Sequence, residues 1–315
     1  MSRSPFTRFL DAQGFVVLDG GLATALEAAG HRLDEKLWSA RLVISAPDAV
    51  RGVHASYLKA GADCVTSGGY QASFEGFLEA GLDRRAAESA LRRAVTLAAE
   101  ARDSFWSDPT NRVGRVEPIV AASAGPYGAY LANGSEYDGR YGVERDVLEA
   151  FHRDRLAVLV DTEADLVAFE TLPSLLEVEV LCALLAEGLG KPAWITFSCR
   201  DSDALWDGTP ISAALQRCDS IDALVGVGVN CTDPRHVGGL IDKIAAMTDL
   251  PIIVYPNSGE SYDPVTREWT GPPAEWLENV GQWVEKGASV LGGCCRVGSG
   301  EIGELRLRLE EMHAL

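Results

Sequence analysis

Three thiols carry the most legible chemistry of this sequence. Gly292-Gly293-Cys294-Cys295-Arg296 and Val229-Asn230-Cys231 each follow an apolar run that reads as a buried strand. Cys231, Cys294 and Cys295 are therefore expected near strand ends, where a sheet could bring them together. Thiolates suit Zn²⁺ in a tetrahedral site, and three protein ligands leave the fourth position to a substrate. The expectation is a zinc centre that does chemistry. Taken alone, Cys294-Cys295 also fits a pair of inert buried thiols. No Cys-x-x-Cys occurs in the chain, so an ordinary short-spaced zinc knuckle does not apply. Cys64, Cys182, Cys199 and Cys218 lie in or beside predicted strands and helices and read as small core residues.

Two acidic positions accompany the thiols. In Leu18-Asp19-Gly20-Gly21-Leu22, the paired glycines let a ligand carboxylate approach backbone N–H groups, while Asp19 can accept bonds from an ammonium. A strand-to-helix turn would need the same glycines. Glu170 ends the apolar run Leu166-Val167-Ala168-Phe169, and a buried carboxylate at a strand end needs a partner, either a bound ammonium or an internal salt bridge. Aromatic residues collect in the segments after strands, among them Trp38, Tyr70, Tyr127, Tyr130, Tyr137, Tyr141 and Tyr255. Aromatic faces attract sulfonium or quaternary ammonium ions. None of the five histidines has metal-ligand spacing to another, and His236 falls inside the helix after Cys231, which disfavours a Cys-His hydrolase.

The elements that must position these groups alternate in type. Strands are predicted at 15–19, 64–67, 118–123, 166–170, 193–198, 224–230, 252–255 and 289–292, with helices at 47–60, 84–105, 143–162, 174–187, 234–247 and 273–286. Pro47 and Pro234 mark helix starts, and Gly61 and Gly287 mark stops. Alternating strands and helices give an α/β fold, a (β/α)₈ TIM barrel, read as one domain over residues 1–315 because no linker or repeat divides the chain. The longest irregular stretches, 125–141 and 256–273, directly follow strands. In such a barrel those loops build the active site.

Composition narrows the class. Lysine and arginine total 28 against 46 acidic residues, a net charge of −18, which opposes nucleic acid and anionic membranes as partners. Small cationic or zwitterionic molecules suit it better, and no specific protein partner is indicated. Seven cysteines, two of them adjacent, do not form a secreted disulfide framework. With no signal-peptide pattern at the start and no long apolar span, the expected location is cytoplasmic.

Taken in order, Asp19-Gly20-Gly21, Leu37-Trp38-Ser39-Ala40, Gly69-Tyr70-Gln71-Ala72-Ser73, Gly125-Pro126-Tyr127-Gly128-Ala129-Tyr130, Gly134-Ser135-Glu136-Tyr137, Gly228-Val229-Asn230-Cys231 and Gly292-Gly293-Cys294-Cys295-Arg296 resemble the homocysteine S-methyltransferase family over nearly the whole chain. The Tyr70-Gln71 and 125–137 segments are similar to the branch that uses S-methylmethionine or S-adenosylmethionine. The resemblance implies zinc on Cys231, Cys294 and Cys295, with Asp19 and Glu170 at the homocysteine amino group and the backbone around Gly20 and Gly21 at its carboxylate. Asn230 then supports the site or touches substrate, and Trp38, Tyr70 and Tyr127 are the donor-binding candidates. The chain departs from the usual pattern at Val297-Gly298-Ser299, where hydroxyl residues and proline are common, and at Ser67-Gly68-Gly69, which is richer in glycine. Methylation of selenocysteine or another thiol or selenol is the enzymatic alternative. A non-catalytic zinc-binding or thiol-redox protein is the alternative of a different class.

Overall fold

The structure, a computed structural model, describes residues 4–31, 37–188, 190–263 and 268–313, without the side chains of residues 38–39, 261–263 and 268. Eight parallel strands form one sheet: β1 (Val16–Val17), β2 (Cys64–Thr66), β3 (Ile119–Ala124), β4 (Leu166–Leu172), β5 (Ala193–Phe197), β6 (Leu224–Asn230), β7 (Ile252–Tyr255) and, after a small antiparallel hairpin of β8 (Ser261–Asp263) and β9 (Glu268–Thr270), β10 (Ala288–Leu291). Hydrogen bonding runs β1-β10-β7-β6-β5-β4-β3-β2. The circle closes between the two ends of that order, where Leu18 bridges Cys64 and the Asp63 N–H donates to the Val17 carbonyl at 2.7 Å. Strands alternate with helices throughout. The molecule is a (β/α)₈ barrel.

Period-two alternation divides each strand between two cores. Along β3 and β4, Ile119, Ala121, Leu166 and Ala168 point into the barrel with Val16, Leu18, Cys64, Trp194, Ile253 and Val290. Val120, Ala122, Val167 and Phe169 point outward into the layer beneath the helices. The same parity turns Ser123 and Glu170 inward at the C-terminal end. At the opposite end Phe6 and Phe9 close the barrel from beneath, Phe6 stacking on Trp194 at 5.9 Å. Gly228 exists for close approach, since a Cβ there would sit 1.8 Å from the Ile253 carbonyl oxygen on the neighbouring strand.

Pro47–Ala60 forms a helix with proline in its first turn and Gly61 left-handed after it (φ 118°), and Gly287 takes the same role after Val280–Glu285 (φ 109°). The helix expected over 273–286 is shorter, a 3₁₀ turn at Trp276–Asn279 running into Val280–Glu285. Pro272 and Pro273 lack N–H donors, and the Ala274 N–H is tied to the Ser258 carbonyl at 2.7 Å. The stretch 125–141, expected to be irregular, contains the helix Tyr127–Leu131 and a 3₁₀ turn, Ser135–Tyr137. No helix among the described residues is long and apolar enough to cross a membrane.

Candidate active site

A cavity of about 120 Å³ opens at the C-terminal ends of the strands. It is built from residues that continue the strands beyond their last ladder bonds. Asp19 and Gly20 follow β1, Thr66 ends β2, Ser123 belongs to β3, Glu170 and Thr171 to β4, Cys231 follows β6, Tyr255 ends β7, and Cys294 and Cys295 follow β10.

The three thiols converge on this rim. Their sulfurs all lie within 4.8 Å of one another. Cys231 and Cys294 are joined as a disulfide with their Cα atoms 5.6 Å apart, and Cys295 Sγ lies 3.8 Å from Cys231 Sγ. A tetrahedron with zinc–sulfur bonds of about 2.3 Å has edges of about 3.8 Å, which the Cys231–Cys295 separation matches; with the Cys231–Cys294 bond reduced, the three sulfurs are a candidate metal-ligand set. The surrounding backbone is fixed: the Cys231 N–H donates to Tyr255 O (3.2 Å), Cys294 N–H to Pro256 O (2.8 Å) and Gly293 N–H to Asp19 O (3.0 Å). Cys231 (φ 45°), Thr171 (φ 64°) and Arg296 (φ 68°) hold left-handed conformations that are unfavourable outside glycine. Burial pushes the free Cys295 thiol up to about 12, with the charge of Glu136 adding to the effect. A bound cation would reverse that preference.

The acidic pair sits deeper. Asp19 is 5% exposed and accepts from the Thr66 N–H and Thr66 hydroxyl, each at 2.8 Å. Glu170 is 7% exposed; the Ser123 hydroxyl donates to its Oε1 and the Tyr255 hydroxyl to its Oε2 at 3.2 Å. Tyr255 is in turn held by Trp194 Nε1 at 3.2 Å and Thr196 Oγ1 at 2.8 Å. Desolvation raises both acids, Asp19 to about 8 and Glu170 to about 7, with each Thr66, Ser123 or Tyr255 bond opposing the rise. Such carboxyls bind protons until a cation enters beside them.

Gly20 and Gly21 lie where any side chain would collide. A Cβ on Gly20 would come 2.5 Å from Val297 O, and one on Gly21 would come 2.6 Å from Cys294 O. The Gly21 N–H is already donated to Val297 O at 3.0 Å. Gly20 lines the cavity with Leu22, Ala23 and Thr24 of the first turn of the helix Leu22–Ala28, whose leading N–H groups have no intrahelical acceptor.

Asn230 does not line the cavity. It is fully buried, its Oδ1 accepting from the Thr171 N–H (2.7 Å) and its Nδ2 donating to the Thr171 hydroxyl (2.8 Å), with Nδ2 4.0 Å from Cys294 Sγ. It holds Thr171 in its strained conformation. Among the aromatic candidates, Tyr70 lines the cavity. Tyr127 does not; its ring packs against Tyr130, Tyr141 and Phe151 at 5.1–5.6 Å, and its N–H donates to the buried Glu177. The Trp38 side chain lies outside the described residues. His236 bonds Ser202 and His152 bonds Glu177, both away from the cavity. Cys64, Cys182, Cys199 and Cys218 are buried free thiols.

Sequence reasoning assigned no role to Thr66, Ser123 and Glu136, although Glu136 lies in the family-like segment Gly134-Ser135-Glu136-Tyr137; all three line the cavity with the rest. Strand parity alone identifies Ser123 as the inward partner of Glu170. Glu136 has no such signal, because it lies on a turn.

Comparison with known proteins agrees with this geometry. Residues 16–309 match the family model described as homocysteine S-methyltransferase. The chain is 44% identical over 306 residues to "Homocysteine S-methyltransferase YbgG" of Bacillus subtilis (strain 168), covering 96% of each chain. It is 42% identical to "Selenocysteine Se-methyltransferase" of Brassica oleracea var. italica, covering 96% of this chain and 91% of that one. The structure superposes with a TM-score of 0.87 on the metallated form of the homocysteine methyltransferase MmuM from Escherichia coli, at 37% identity, covering 97% of this chain and all of that one. A likeness that runs from the first strand into the last helix, and takes in both thiol-bearing segments, settles the relationship: the chain belongs to the homocysteine S-methyltransferase family.

Proposed function

We propose that this enzyme transfers a methyl group from a sulfonium donor, S-methylmethionine or S-adenosylmethionine, to the thiol of L-homocysteine, with zinc on Cys231, Cys294 and Cys295. The observation that carries the reading is the placement of three mutually close sulfurs beside two buried carboxylates in one cavity. Zinc, when bound by the three thiolates, supplies a soft cation that keeps a substrate thiol in its nucleophilic thiolate form.

The chain's own residues do the rest. Asp19 and Glu170 accept the homocysteine ammonium. Both hold protons readily when the site is empty, so substrate binding near neutral pH displaces them. The amides of Gly20 and of the helix start at Leu22 receive the carboxylate. Asn230, behind the cavity wall, fixes the lining residue Thr171. In the transfer, the acceptor sulfur's lone pair forms a bond to the methyl carbon while the carbon–sulfonium bond breaks; its electrons stay on the donor sulfur, which leaves as a neutral thioether. With S-methylmethionine, both products are methionine. The protein's contribution is alignment, holding the reacting atoms about 3 to 3.5 Å apart and nearly in line. Because positive charge disperses as the methyl moves, a strong grip on the sulfonium would favour the ground state and slow the step.

The selenol of selenocysteine could take the same place, a reading favoured by the 42% identity to a protein named selenocysteine Se-methyltransferase. Abundant thiols fit a reducing, cytoplasmic location, and residues 1–315 are read as one homocysteine-binding barrel domain. The test combines elemental analysis with methionine formation from homocysteine and, separately, S-methylmethionine, S-adenosylmethionine and betaine. Near-stoichiometric zinc and turnover on a sulfonium are expected. Failure to take up zinc after reduction and reconstitution, or turnover on betaine alone, would overturn the reading; faster turnover of selenocysteine than homocysteine would favour the second acceptor.

A further inference from the structure

The cavity contains one more acid than the acceptor needs. Its described lining residues include Asp19, Glu170 and Glu136 and no lysine, arginine or histidine. Arg296, the nearest candidate cation in sequence, turns onto Glu260 at 3.1 Å. Asp19 and Glu170 are bonded to Thr66, Ser123 and Tyr255. Glu136 has no side-chain donor: its carboxylate accepts from the backbone N–H groups of Gly134 and of Glu136 itself. It is 7% exposed, and its Oε2 is buried with no hydrogen-bond partner among the described residues.

Its backbone is held in place. Glu136 sits in the 3₁₀ turn Ser135–Tyr137, closed by Tyr137 N–H to Gly134 O (2.9 Å) and Gly139 N–H to Ser135 O (2.8 Å). The turn lies directly on Gly128, where a Cβ would come 2.6 Å from the Glu136 nitrogen. The next residue, Tyr137, packs edge-on against Trp206 at 6.0 Å and hydrogen-bonds the Cys295 sulfur. Glu136 is therefore fixed on the thiol side of the cavity, within electrostatic reach of Cys295 and of Tyr70. A buried carboxylate oxygen without a donor is costly unless a cation is delivered to it.

We infer that Glu136 is the electrostatic receptor for the sulfonium centre of the methyl donor, with Tyr70 facing the same ligand. The inference rests on the sulfonium-transfer reading and makes it more specific. A sulfonium has no N–H or O–H to donate, so a carboxylate acts on it by charge and not by geometry, and the contact is strongest before the charge disperses. Glu136 is then a specificity residue. It favours cationic donors over neutral thioethers and contributes to the ground state at least as much as to the transition state.

The test uses zinc-loaded full-length protein and Glu136→Gln, with Glu136→Asp as the charge-retaining control and circular dichroism to establish folding. Steady-state kinetics with homocysteine and S-methylmethionine should show the donor KM rising roughly ten- to a hundredfold in Glu136→Gln. The homocysteine KM should stay within about twofold and kcat should be unchanged or slightly higher, because the lost contact is one of uniform or ground-state binding. Calorimetric titration of trimethylsulfonium without homocysteine should weaken by a similar factor, and Glu136→Asp should recover part of both losses. An unchanged donor KM in folded Glu136→Gln would overturn the inference. So would a matching rise in the homocysteine KM, or a higher donor KM with undiminished trimethylsulfonium binding, which would place Glu136 at the donor's ammonium. Wild-type protein that turns over no sulfonium donor would instead defeat the underlying reading.

Discussion

Replacing Glu170 by glutamine should stabilise the protein and impair it at once. Without substrate, the Glu170 carboxyl has only the Ser123 and Tyr255 hydroxyls to set against nearly complete desolvation, and its pKa rises from 4.5 to about 7. An acid whose folded pKa exceeds its unfolded value loses stability as pH climbs between the two values, because the unfolded chain releases the proton first. Below pH 4.5 the group costs nothing on this account; above about pH 7 the cost is fully developed. At about 1.4 kcal/mol per pK unit, this shift is worth at most roughly 3 kcal/mol at pH 8 and under about 1 kcal/mol at pH 5. Glutamine has the same shape and no charge to desolvate. For a chain of this length, with an unfolding entropy of about 2 cal/mol/K per residue, Tm should rise by up to about 5 °C at pH 8 and by about 1 °C at pH 5. Homocysteine binding at pH 8 should weaken roughly ten- to a hundredfold through loss of the charged acceptor for its ammonium. Differential scanning calorimetry at the two pH values and a homocysteine KM measurement check both halves. A Tm change that is the same at pH 5 and pH 8, or an unaltered homocysteine KM, would refute the account of Glu170.

Three other substitutions follow from the contacts of the rim. Cys294→Ser should abolish zinc retention by elemental analysis and eliminate turnover, with far-ultraviolet circular dichroism unchanged, since the barrel ladder does not depend on the sulfur; retained zinc with normal turnover would remove Cys294 from the ligand set. Asn230→Ala deprives the buried Thr171 N–H of its acceptor and the Thr171 hydroxyl of one of its two partners, the other being Tyr70. It should cost about 2 to 4 kcal/mol in chemical denaturation and lower kcat, whereas an unchanged midpoint would mean that Thr171 keeps its left-handed conformation unaided. Gly21→Ala would place a Cβ 2.6 Å from the Cys294 carbonyl oxygen and 2.8 Å from the Thr24 hydroxyl. Zinc occupancy should fall and the homocysteine KM should rise together; normal values of both would show that this seam yields.

The barrel was legible wherever a strand is buried on both faces. Leu224–Asn230 and Ile252–Tyr255 are read from the sequence with the bounds they have in the structure, because uninterrupted apolar runs bounded by polar or turn residues have little else to become. The first strand, expected over 15–19, contracts to Val16–Val17: on the closing side its partner is met only by the Leu18–Cys64 bridge and by the backbone of Asp63 and Asp19. Short helices such as Phe74–Glu79 and Ile211–Cys218 escaped notice because six to eight residues do not complete a recognisable helical period. The long C-terminal helix Ser299–His313 escaped for another reason. Its inner face carries Arg306, which ion-pairs with the buried Asp63 at 3.0 Å, so an apolar stripe is interrupted where the helix meets the barrel.

The site divides along the same physical line. Cys231, Asp19, Glu170, Cys294 and Cys295 were found because each terminates or follows a strand, and a closed parallel barrel brings all such positions to one rim. Glu136 depends on tertiary contacts that carry no period. Its turn is placed by the helix Tyr127–Leu131, and that helix is anchored by Glu177, which accepts from the Tyr127 N–H at 2.6 Å and from the Tyr141 hydroxyl at 2.8 Å. Glu177 is bonded to His152, and Arg155 donates both to His152 and to the Gly125 carbonyl that begins the segment. This buried network joins two outer helices to a loop at the cavity mouth, through residues that look like ordinary helix-surface charges in the sequence. Strand ends thus set the positions of the thiols and of Asp19 and Glu170, whereas Glu136, the proposed donor contact, is set by a loop held from behind by buried charge. Substitutions in the His152–Arg155–Glu177 network should therefore alter donor kinetics before they alter zinc content or homocysteine binding, and the reverse order would show that the two halves of the cavity are not independently built.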